Sequence, residues 1–117
     1  MTISLPLDAA YALDYYAILQ VKCDNKLKEV FPELLKIQNC IAIQVGERGL
    51  STVERSKEFK ELYKANLAVF NIINKAHKDE VTASEVQRLN MERYKAKVAL
   101  QQRFWPDSKL KEVKSAT

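Results

Sequence analysis

The sequence predicts an all-α protein, a four-helix bundle built on a long antiparallel helical hairpin. Three observations carry this reading. The 117 residues include only two glycines and three prolines, too few for the turns an all-β chain requires. Long runs place apolar residues at helical spacing. Two segments open with a hydroxyl residue three positions ahead of a glutamate, Ser51 with Glu54 and Thr82 with Glu85. In a capping box of this kind the hydroxyl accepts from a backbone N–H and the carboxylate reaches back to the start of the helix.

A chain of this length reads as one domain, 1–117. Residues 1–7 form an extended lead-in in which Ile3, Leu5 and Leu7 alternate with other residues. The first helix is expected over 8–25, with Asp8 as its N-cap. It carries Ala12, Tyr15, Tyr16, Leu19 and Cys23, and three tyrosines (Tyr11, Tyr15, Tyr16) crowd its first half, read as core and rim packing with hydroxyls near solvent. Leu27 to Val30 is set off as a separate short turn. Pro32 cannot sit mid-helix without losing a hydrogen bond, so the second helix is placed at 31–45 with Pro32 in its first turn. Gly46 is its C-cap, and Gly46-Glu47-Arg48-Gly49 reads as the one clear loop.

The hairpin then occupies 52–78 and 83–105, joined by the short polar connection Lys78-Asp79-Glu80-Val81, with Val81 and Val86 spaced as a hydrophobic staple around the second start. Its first arm has a 3-4 repeat of Phe59, Leu62, Asn66, Val69, Ile73 and Ala76. That is a heptad seam with one polar break at Asn66. A second stripe (Tyr63, Leu67, Phe70, Ile72) makes the apolar face wide enough for more than one partner helix. At 1.5 Å per residue this arm spans about 40 Å against about 20 Å for the second helix. The overhang suggests an exposed apolar stripe and hence a homodimer or larger helical assembly whose seam is Phe59, Leu62, Val69, Ile73 and Ala76. Residues 106–117 are expected to be a short mobile tail.

Chemistry is weakly signalled. There is one histidine, and Asn74 stands where the Glu of a di-iron Glu-x-x-His motif would precede His77. Zinc spacing, a phosphate-cradling glycine loop and a nucleophile framed by glycines are all missing. No cofactor, no metal and no enzymatic activity are therefore expected. His77 is assigned instead to a helix C-terminus, where a cation is favourable. Cys23 and Cys40 fall at different depths if the first two helices are antiparallel, so two free, mostly buried thiols are expected. No run of eighteen apolar residues marks a membrane span. Residues 1–6 lack a secretory pattern, and together with the two cysteines this points to a reducing, cytoplasmic setting.

The net charge of +4 is unevenly placed. Residues 81–117 hold eight Lys/Arg against four Asp/Glu, while the rest of the chain balances. Such a basic end raises nucleic-acid binding as one function. Arg88 and Lys95 share one side of the fourth helix and Arg93 and Lys97 the other, which favours two solvated flanks over one phosphate-tracking face. Lys109, Lys111 and Lys114 add weak, salt-sensitive charge.

The run Leu13-Asp14-Tyr15-Tyr16-Ala17-Ile18-Leu19-Gln20-Val21-Lys22 resembles the Leu-Asp-Lys-x-Thr-Ile-Leu-Glu-Ile-Lys opening of a family of small all-helical bacterial and phage-type proteins of unknown function. Leu62-Tyr63-Lys64-Ala65-Asn66-Leu67, the spacing of Asn90, Arg93 and Lys97, and the close Glu112-Val113-Lys114-Ser115 extend the resemblance. Tyr15 and Gln20 depart from it, standing where a lysine and a glutamate are usual. The resemblance implies a helical fold and no known activity. It singles out Asp14, Lys22, Asn66, Asn90, Arg93 and Lys97 as a polar cluster, with Asp14 and Arg93 as a buried ion pair supported by Asn66.

The sequence thus leaves three readings: a non-enzymatic interaction or scaffold protein acting through protein–protein contacts, a basic nucleic-acid-binding accessory protein, and a binder of a small anionic ligand at the polar cluster.

Overall fold

A computed structural model describes residues 8–76 and 82–106. Among these residues the chain is all-α. The helices are α1 (Ala9–Asp24), α2 (Phe31–Val45), α3 (Glu47–Arg55), α4 (Lys57–Ala76) and α5 (Ala83–Phe104), with a 3-10 turn at Lys28–Val30. The lead-in 1–7, His77, the 78–81 connection with the staple residue Val81, and the tail lysines lie outside the described residues.

The central helix is α1, which packs against α2, α4 and α5. It buries Ala10, Leu13, Asp14, Tyr16, Ala17, Leu19 and Val21. At 100° per residue these positions cover more than half of the helix circumference, the pattern of a helix enclosed on several sides. Asp8 occupies the N-cap, and its carbonyl accepts from the N–H groups of Tyr11 and Ala12, but its side chain does not cap the helix. That role falls to α5: the Gln101 side-chain oxygen accepts from the Ala10 N–H at 3.3 Å in a buried setting. Gln101, which interrupts the apolar stripe of α5, thus satisfies one of the N–H groups a helix start leaves open.

The third expected helix is two helices. Gly46 alone makes the turn after α2, at φ 83°, a conformation that costs glycine little. The chain then enters α3 at Glu47, so Glu47, Arg48 and Gly49 are helical and not a loop. Ser51 lies inside α3 and caps nothing. The break comes at Ser56, whose backbone is extended. Its hydroxyl donates to the Val53 carbonyl at 2.6 Å and accepts from the Phe59 N–H at 3.1 Å, closing α3 and opening α4 with one side chain. Replacing Ser56 with alanine is expected to lower unfolding free energy by about 1 kcal/mol. Urea denaturation reads this directly, and an unchanged midpoint would remove the capping role. The expected start of α5 is present, with the Thr82 hydroxyl accepting from the Glu85 N–H at 3.2 Å.

Splitting the arm shortens the overhang. At 1.5 Å per residue, the 20 residues of α4 span about 30 Å. The Arg103 guanidinium in the last turn of α5 lies 3.8 Å from Glu58 in the first turn of α4, while Asn66, later in α4, and Arg93, earlier in α5, meet at one carboxylate. The two helices therefore run in opposite directions. The expected oligomer seam is mostly the chain's own core: Phe59 and Val69 are buried and Leu62 is fully so. Phe59 and Leu62 pack with Leu13, Tyr16, Ala17 and Leu100. A heptad shows that a face is covered but not whether the cover is another chain or another helix of the same one. Ile73 is exposed, and the side chain of Ala76 lies outside the described residues.

Candidate functional site

The polar residues of the core meet at Asp14. Its position on α1 turns the carboxylate toward the α4–α5 pair, where it is 4% exposed. Arg93 on α5 donates to both oxygens, from Nε to Oδ1 at 3.2 Å and from a terminal nitrogen to Oδ2 at 2.7 Å. This two-pronged geometry is the strong form of a carboxylate–guanidinium pair. Asn66 on α4 donates to Oδ1 at 2.9 Å and, from the same nitrogen, to the Leu62 carbonyl one turn back at 3.1 Å. The Lys97 ammonium is 3.5 Å from Oδ2 and lies over the Tyr11 ring, 4.2 Å from its centroid. The aromatic face supplies electron density to a largely desolvated cation.

Four of the six residues singled out in sequence are therefore brought together: Asp14, Asn66, Arg93 and Lys97. The other two are not. Asn90 is exposed on α5 and Lys22 is half-buried farther along α1. Lys22 follows Asp14 by eight residues, a rise of about 12 Å. Arg93 and Lys97 do not belong to a solvated flank, because the buried carboxylate draws both inward. The ring of Tyr11 under Lys97 follows from the register of α1 against α5, which one-dimensional spacing does not report.

Burial alone would raise the Asp14 carboxyl. Hydrogen bonds from Arg93 and Asn66, with the charges of Arg93 and Lys97, outweigh it and hold the group below its ordinary value of 3.8. A depressed folded-state value stabilises the fold fully above the unfolded value and loses that contribution as pH falls through the folded one. The gap in unfolding free energy between the wild type and Asp14→Asn should therefore stay constant from neutral pH to about 5 and narrow below about 4. Paired urea titrations across this range check it, and a gap that persists unchanged at about pH 2 would contradict the assignment.

A second polar group joins α1, α2 and α3. Tyr16 is 1% exposed; its hydroxyl donates to Glu54 at 3.1 Å and accepts from Gln38 at 2.9 Å. Burial, then the Glu54 charge, raises the phenol above its ordinary value, so it stays protonated and serves as a hydrogen-bonding bridge. The expected solvent-facing hydroxyl holds for Tyr15, which is 43% exposed and reaches Glu33 at 3.5 Å, and fails for Tyr16.

Both thiols are free; Cys23 is half-buried and Cys40 exposed, so the expected burial does not extend to Cys40. Among the described residues no group of three or more His, Cys, Asp or Glu side chains is placed to hold a metal, and no helix is long and apolar enough to cross a membrane. Comparison with family models, with curated proteins and with solved structures finds no match to this chain.

Proposed function

We propose that this protein is a non-enzymatic helical interaction protein that works through protein–protein contacts on α2, including contacts with a second copy. The observation that carries this reading is the exposure of apolar side chains along that helix. Phe31 is 49% exposed, Leu35 47% and Ile43 76%, while Ile41 is its one buried residue. Phe31, Leu35, Asn39 and Ile43 follow each other at four-residue intervals, which forms a ridge of the kind that packs into the groove of another helix. The architecture is read as a helical bundle on the α4–α5 hairpin, with α1 filling it and α2 as its working edge. The resemblance to small helical proteins of unknown function fits this assignment and adds no activity to it.

The competing readings have less support. Asp14 already neutralises part of the charge of Arg93 and Lys97, so a nucleic acid would meet fewer free cations on α5 than the sequence offers. An anionic ligand at the cluster would have to displace the chain's own carboxylate, and none of the three described cavities is lined by Asp14, Asn66, Arg93 or Lys97.

Sedimentation equilibrium tests the proposal. The 13.5 kDa chain is expected to associate reversibly to a dimer. The double variant Leu35→Glu/Ile43→Glu should be monomeric with unchanged helical content, because burying two carboxylates at a contact is strongly unfavourable. A wild type that remains monomeric at high concentration would remove self-association, and a variant that still dimerises would move the interface off α2.

A further inference from the structure

Beyond this surface, we propose that a pocket between α1, α2 and α3 binds an uncharged, predominantly apolar small molecule. The cavity has a volume of about 520 Å³, within the range of small-molecule sites. Its floor is the buried set Leu13, Ile41, Leu50 and Val53. Two aromatic rings form walls. Trp105 is held after α5 by the bond from its backbone N–H to the Gln101 carbonyl at 2.8 Å and by the Phe104 ring, 5.9 Å away. Tyr15 lines the opposite helix with its hydroxyl engaged by Glu33. At the mouth stand the exposed residues Cys40 and Gln44.

The chemistry of the lining selects the ligand. No aspartate, glutamate, lysine or arginine lines this pocket, whereas the other two described cavities carry Lys36, Glu47 and Glu54, or Arg48. A charged ligand would lose its hydration without a partner. An aromatic or aliphatic body would bury against Leu13, Ile41, Leu50 and Val53, and one polar substituent could reach the Gln44 amide at the rim.

The probe for this is N-phenyl-1-naphthylamine, which is uncharged and brightens in apolar surroundings. The chain's single tryptophan, Trp105, lies in the wall and can pass its excitation to the probe. Saturable binding of one probe per chain, with matching quenching of Trp105, is the expected result. Cys40→Trp places an indole across the mouth at an exposed position and should weaken binding by at least about tenfold, the scale of overfilling a packed site. Lys60→Trp, at an exposed position on α4 that does not line the pocket, should bind like the wild type, with both variants checked by circular dichroism. The inference is overturned if binding is absent, if it is equal in Cys40→Trp, or if it is lost in Leu35→Glu/Ile43→Glu while surviving Cys40→Trp. It is also overturned if the probe binds only once Leu5 and Leu7 are changed to serine, which would assign the pocket to the chain's own residues 1–7.

Discussion

Asp14→Ala is expected to lower the free energy of unfolding by about 3–5 kcal/mol, a large share of the roughly 5–15 kcal/mol that holds a domain of this size. The loss is greater than that of one hydrogen bond because of what remains behind. The Lys97 side chain is 9% exposed and the Arg93 side chain 27%, and without the carboxylate two like charges share a desolvated site. Asn66 also loses an acceptor at 2.9 Å and keeps only its bond to the Leu62 carbonyl on a buried seam. The partial exposure of Arg93 lets water reach part of its guanidinium and moves the expected value toward the lower end. Chemical denaturation measures the change. The triple variant Asp14→Leu/Arg93→Met/Lys97→Met supplies the contrast. Replacing a whole buried ionic group by apolar side chains of similar size is often neutral or stabilising, so the triple variant should recover most of what Asp14→Ala loses. If the single change is harmless, the cluster is peripheral. If the triple is as unstable as the single, the loss reflects shape and not stranded charge.

Leu62→Ala is the second large effect. Leu62 has no exposed surface and packs in the core shared by α1, α4 and α5. Truncation removes buried methyl groups and leaves a cavity that the surrounding helices only partly fill, at a cost of about 2–5 kcal/mol. Ile73 lies on the same heptad seam but is 51% exposed, so Ile73→Ala should change stability by no more than about 0.5 kcal/mol. The pair separates two readings of the repeat. In a seam between chains, both substitutions would weaken association. In an intrachain core, Leu62→Ala lowers monomer stability and Ile73→Ala does little. Thermal and urea unfolding at low concentration, with sedimentation alongside, distinguishes these patterns.

The all-α class was legible because glycine and proline are scarce and apolar spacing is regular. The limits of α2 were legible because Pro32 and Gly46 act locally on the backbone, whereas the bond at the start of α1 comes from Gln101 on a distant helix and not from the Asp8 side chain. The division at Ser56 was not, since Ser56 lacks a glutamate three residues on and its hydroxyl acts through a bond to Val53 that only the folded turn creates. Pattern alone favoured Ser51, whose box is real in sequence yet falls where α3 is already helical. The pairing of Asp14 with Arg93 and Asn66 is what the resemblance to a family implies, whereas helical spacing by itself puts both Arg93 and Lys97 on a solvated flank. Helical phase places a residue on a side of its own helix, but it carries no information about which carboxylate faces that side from another. The same gap explains the oligomer seam: the repeat shows Phe59 and Leu62 to be apolar but carries no sign that α1 covers them. The exposed ridge of α2 was missed because its four-residue spacing looks like an ordinary core pattern.

Hydrogen exchange of the intact chain at low and high protein concentration tests the proposed working surface most directly. Local opening governs exchange in weakly held elements, and α2 contributes a single buried residue, Ile41. Amides of α2 should exchange more slowly at high concentration, those of α4 around Leu62 and Asn66 should be unaffected, and Leu35→Glu/Ile43→Glu should abolish the difference. Slowing confined to α4, or no dependence on concentration in any helix, would contradict the account.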